Sequence, residues 1–153
     1  MKESTFEQVR KLPKVKGHLS AKTHYWPPSD PRHTINTPDV FFDDIDGEFY
    51  NLGGRVEEGE EGEDNYYFTS ISISVPPGTA VGKHPIGNNG KIEARYYVSA
   101  DGEDYLFRAI DGEINIEVAE SNHFVVKEFR FVGRLGSAGK TVEVFLGKFD
   151  ISL

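Results

Sequence analysis

The chain has 153 residues, no cysteine and a formal net charge of −8. That length suits a single domain with its own core, and the missing cysteines exclude disulfides, a thiol nucleophile and thiolate metal sites. The charge is uneven: residues 1–24 hold six bases against two acids, whereas residues 39–64 hold eleven acids and one base, Arg55. An acidic body repels a phosphate backbone, which argues against nucleic acid and favours a basic protein partner or a cation. No apolar leader follows Met1, and no run reaches membrane-helix length. The expected compartment is the cytoplasm, with secretion as the alternative.

Residues 1–38 carry five of the eight prolines, three of the five histidines and the single Trp. They read as an N-terminal extension or arm, packed on or beside one β domain within a single domain spanning 1–153. Residues 1–12 suit a short helix or loose arm, and 14–25 a strand. Residues 26–38 suit an extended loop, because prolines 27, 28 and 31 remove donors and restrict the residues before them.

From residue 40 the apolar period is two. Val40–Phe42 and Glu48–Leu52 flank Asp46-Gly47, a hairpin signal, since such turns need a positive φ. Residues 53–65 are rich in Gly and Glu and read as a mobile loop. Phe68–Val75 is the clearest strand: Ile71, Ile73 and Val75 share one face and Ser70, Ser72 and Ser74 the other, expected wet, face. Further strands follow between turns expected at Asp101-Gly102, Asp111-Gly112, Ser121-Asn122 and Gly136–Gly139. The pattern predicts an all-β fold, a hairpin-rich antiparallel β-sandwich or β-barrel of about seven to nine strands.

The last third adds a resemblance. Asp111-Gly112-Glu113-Ile114-Asn115-Ile116 leads a strand, Phe124–Phe131 closes on Phe-x-Phe, and Gly147-Lys148-Phe149 lies in the final strand. This layout resembles the ending of certain small bacterial β-sandwich proteins of unknown function. The resemblance implies the sandwich fold and assigns no functional residue.

Five candidate chemistries can be weighed. Gly133–Thr141 ends in Gly-Lys-Thr, but its glycine spacing fails and a strand follows, where a phosphate loop needs a helix. Asp43, Asp44, Asp46 and Glu48 gather carboxylates that could hold Ca2+, although the spacing is not that of an EF-hand. The histidines at 18, 24, 33, 84 and 123 show no metal-ligand spacing; His18 and His24 lie about 20 Å apart along a strand. Trp26, Tyr96 and Tyr97 are candidates for a ligand-binding aromatic surface, in sheet pairs that put one tyrosine on each face. No Gly-x-Ser-x-Gly elbow occurs. The reading is therefore a non-catalytic binding or protein-interaction module using an acidic surface at 39–64, with no cofactor. The alternatives are a carbohydrate- or Ca2+-binding β-sandwich, and an enzyme working in a barrel mouth.

Overall fold

A computed structural model of the chain describes residues 6–45, 47–88, 90–137 and 139–153. In chain order these form α1 (Phe6–Lys11), β1 (Lys16–Thr23), a 3-10 turn (Pro31–His33), β2 (Thr34–Thr37), β3 (Val40–Ile45), β4 (Phe49–Glu58) and β5 (Tyr67–Val75). The chain continues with β6 (Gly82–Pro85), β7 (Glu93–Ala100), β8 (Glu103–Glu120), β9 (His123–Leu135) and β10 (Thr141–Ser152). The fold is all-β. One antiparallel sheet runs β2-β1-β10-β9-β8-β7-β5-β4-β3, and β6 pairs with β8 beside this path. Val15, just before β1, donates its N–H to Val40 O of β3 at 2.9 Å. The sheet thereby curls into a nearly closed barrel, which limits its free edges.

Alternation builds the interior. Ile71 and Ile73 of β5, Tyr96 and Val98 of β7, Phe107 and Ile114 of β8, Phe129 and Phe131 of β9, and Val144 of β10 are all buried in one cluster. Burial at roughly 25 cal/mol per Å² of apolar surface makes this cluster the main stabilising term.

Four local expectations change. Residues 53–58 belong to β4, not to a loop. Gly53 and Gly54 are there for close approach: a Cβ on Gly53 would lie 1.9 Å from Ile71 O and 2.9 Å from Phe41 Cζ. Asp111-Gly112 is not a turn. Both sides of it pair with the same neighbour, β9, through Arg108↔Arg134 and Glu113↔Arg130, with a register shift between Ala109 and Asp111. A bulge absorbs the irregularity, and β8 runs on. Residues 26–38 contain β2, whose Ile35 pairs with Ala21; no proline lies between Pro31 and Pro38, and the Thr-Ile-Asn-Thr alternation takes over there.

The serine face of β5 is the fourth change, because it is buried rather than wet. Arg95 donates from Nε to Ser72 Oγ at 3.2 Å and from Nη2 to Ser74 Oγ at 2.6 Å. Arg55 stands opposite Ser70. Its guanidinium donates to Val9 O and, at 2.5 Å, to Leu12 O, holding the end of α1 on the outer face of the sheet. The last carbonyls of a helix lack intrahelical partners, and a cation there complements both the orphan acceptors and the dipole. Asp39 completes the arrangement, accepting from Arg55 Nε at 3.1 Å.

Candidate functional site

The segment Tyr25–Asp30 folds over one end of the barrel. Tyr25 packs edge-on against Trp26, ring centroids 4.9 Å apart, and lies 6.1 Å from Tyr96 and 5.8 Å from Phe107. Trp26 lies 6.0 Å from Tyr67. The structure thus brings Trp26 and Tyr96 to the same end of the interior. Trp26 Nε1 and the Tyr96 hydroxyl are buried there without a well-formed hydrogen bond, close to the hydroxyls of Thr23 and Thr69. Burial pushes the Tyr96 phenol up. One face of the indole is already covered: Arg32 Cζ sits 3.6 Å from the ring, held by two side-chain bonds to Asp30 of 3.0 and 2.7 Å. Those bonds hold the Asp30 carboxyl down at about 2. Tyr97 points to the outer face, because neighbours on a strand alternate; its ring lies 6.0 Å from Phe68.

The carboxylates at the β3–β4 hairpin do not converge. Asp43 pairs with Asn51 and Asp44 with Tyr50, so the two project to opposite faces of β3. Asp44 Oδ1 accepts the Gly47 N–H at 3.1 Å and so serves the turn. Asp46, the remaining central member of that set, lies outside the described residues. Among the described residues no group of three or more His, Asp or Glu is placed to hold a metal. Of the histidines, His24 and His33 stack with centroids 5.9 Å apart, and His33 Nδ1 is 3.0 Å from Trp26 O. They brace the cap.

The acidic region gathers a groove instead. The turn after β4 and the β7–β8 turn face each other across a cavity of about 630 Å³, lined by Glu61, Glu63, Asp64, Tyr66, Asp101 and Asp104. Among the described residues every charged group of the lining is a carboxylate. Asp101 sits at φ 55 and Gly102 at φ 77, as the Asp-Gly turn expected from sequence requires, and Asp101 and Asp104 from this turn and the start of β8 line the groove. One wall is pinned. Arg10 of α1 donates from Nε to Glu57 at 2.8 Å and also pairs with Glu61, while the Tyr66 hydroxyl donates to Glu57 at 2.6 Å. Burial raises the Glu57 carboxyl, but the bonds from Tyr66 and Arg10 outweigh it and leave a net lowering. Among the described residues Glu63, Asp64, Asp101 and Asp104 form no ion pair with a base; Asp104 accepts from Ser99 Oγ at 2.5 Å.

The acidic surface expected from the sequence is 39–64. The groove uses only the end of that stretch and adds 101–104, which a strand pairing remote in sequence delivers: Tyr67 lies opposite Ala100. The run Asp101-Gly102-Glu103-Asp104 carried the signal, as acids on an exposed turn.

The site therefore belongs to a small antiparallel barrel that presents an acidic groove on its outside and a packed aromatic cap at one end. Comparisons of the chain with protein-family models, with curated proteins and with solved structures found no match. No helix among the described residues is long and apolar enough to cross a membrane.

Proposed function

We propose that this protein is a non-catalytic binding module that takes a basic segment of a partner protein into the groove between the turn after β4 and the β7–β8 turn. The observation that carries this reading is a concavity of about 630 Å³ whose charged lining residues, among those described, are all carboxylates, and which is large enough for extended lysine or arginine side chains. Clefts lined by one sign of charge concentrate the field and speed association of oppositely charged partners. The net charge of −8 supports a cationic partner and speaks against a nucleic acid.

The test is a fluorescence-anisotropy titration with a labelled oligoarginine peptide, using oligoglutamate as control. Binding is expected to weaken as salt rises, because exposed charges are screened over about 8 Å at physiological ionic strength. Glu63→Gln with Asp64→Asn should weaken it further. Equal affinity for the wild type and this double variant would count against the groove.

A further inference from the structure

The other end of the same outer face has the opposite character. Arg95 of β7 stands directly across from Arg108 of β8, and Arg108 directly across from Arg134 of β9. Three guanidinium side chains thus leave three adjacent strands side by side, and adjacent strands lie only about 4.8 Å apart. Like charges directly opposite each other destabilise a sheet. In a chain of net charge −8, such a row is not the background composition of the surface.

The row lines a cavity of about 610 Å³, walled on one side by Gly87, Asn88 and Gly90 and closed near the β9–β10 turn by Gly136. Among the described residues Glu93 is the only acid in the lining, and it lies 3.7 Å from Arg95 Nη1. Arg95 itself is 4% exposed and anchored by Ser72, Ser74 and Asn51. It is a pre-set buried cation rather than a free arm. Arg134 supplies the second observation: its Nε is buried and makes no hydrogen bond. A buried donor of this kind costs free energy unless something accepts from it.

We infer that this cleft binds the phosphate group of a small molecule, with Arg134 and Arg108 as the contacting cations and Arg95 as the buried charge behind them. Guanidinium groups match phosphate oxygens in a two-pronged geometry and stay charged at all relevant pH. Three arginines line the cleft against one acid among its described lining residues, which suits an anion, and a phosphate offers more acceptor oxygens to them than a single carboxylate. The volume falls within the range of about 300–1,000 Å³ that small-molecule sites occupy. A phosphate polymer is disfavoured, because the acidic groove lies further along β7: Glu93 and Arg95 line the cleft, and Ser99 on the same strand lines the groove. The Gly-Lys-Thr sequence plays no part in this; its segment is a β9–β10 hairpin turn that contributes Arg134 and Gly136.

The experiment is thermal unfolding of the full chain at constant ionic strength, with inorganic phosphate, phenyl phosphate or chloride. A ligand that binds only the folded state raises Tm. Phosphate probes are expected to raise Tm above the chloride value. Arg134→Gln and Arg108→Gln should each shift the half-effective concentration upward about tenfold or more, as losing charge-assisted hydrogen bonds does, while Lys127→Gln outside the cleft changes nothing. A larger response to phenyl phosphate identifies an esterified ligand, and a larger response to inorganic phosphate identifies the free ion. No rise with either probe, or the same rise in the arginine variants, overturns the inference. So does failure of both variants to fold without ligand, because the arginines would then be structural.

Discussion

The guanidinium of Arg55 on β4 donates to the carbonyl oxygen of Val9 at the end of α1, 46 positions earlier in the chain. Arg55 is 6% exposed, and its Nε is paired with Asp39. The lone base of the acidic stretch is therefore a clamp that fixes α1 over the sheet. Arg55→Met removes the cation while keeping much of the stem. The expected cost is about 3 kcal/mol, the low end for breaking a buried pair, because Asp39 is partly solvated. Urea unfolding reads the stability, and faster proteolysis within residues 6–15 reads the release of α1. A loss confined to a few tenths of a kcal/mol would contradict the clamp.

Gly53 tests the reassigned β4. A methyl group there meets the backbone of Ile71, which cannot move without opening the sheet. Gly53→Ala is expected to cost about 3 kcal/mol or more, at or beyond the upper end for overpacking. Were residues 53–58 a loop, the same change would be near neutral or stabilising.

Leu146 is a non-glycine residue at φ 50, 61% exposed, where β10 shifts register against β9. The left-handed conformation costs an L-residue about 1–2 kcal/mol. Leu146→Gly recovers that and gives back about 0.4–1 kcal/mol through a freer unfolded chain. A net gain of about 0.5–1 kcal/mol in chemical denaturation is expected. A clear loss would show that the exposed Leu146 side chain holds the bulge.

Trp26 gives a pH readout, since it is the only Trp in the chain. Asp30 holds Arg32 on the indole face, and its carboxyl is held down at about 2 by the Arg32 bonds. A carboxylate with a lowered folded pKa contributes stability that is complete above its unfolded value of about 3.9 and is lost as pH falls through the folded value. Trp26 emission should therefore stay constant from neutral pH to about 4 and change toward about 2. Asp30→Asn should show altered emission at neutral pH and no transition in that window. A wild-type transition centred near 4 or above would contradict the pairing.

How much of this was legible in the sequence follows from what is local. Alternation in Phe68–Val75 and in residues 92–98, together with Asp101-Gly102, fixes strands and a turn within a few residues. Asp111-Gly112 misleads because the dipeptide says what a turn needs, not whether the flanks pair with each other; here both flanks pair with β9. The burial of Ser70, Ser72 and Ser74 depends on Arg55, Arg95 and α1, which come from distant segments. The same limit applies to the sites. Trp26 and Tyr96 meet only because residues 25–30 fold across the barrel end, and the arginine row exists only in a register that no local signal encodes. Tyr97 could be separated from Tyr96 from sequence, since their opposite facing follows from the strand period alone.

The acidic groove is the centre of the functional account, and the most direct test is where a cationic peptide lands. Backbone amide shifts mapped by NMR during titration with oligoarginine should concentrate at Glu63, Asp64, Tyr66, Ser99, Asp101 and Gly102. Shifts spread evenly over acidic positions, with Asp43, Asp44, Glu117 and Glu120 responding as strongly as the groove, would contradict it.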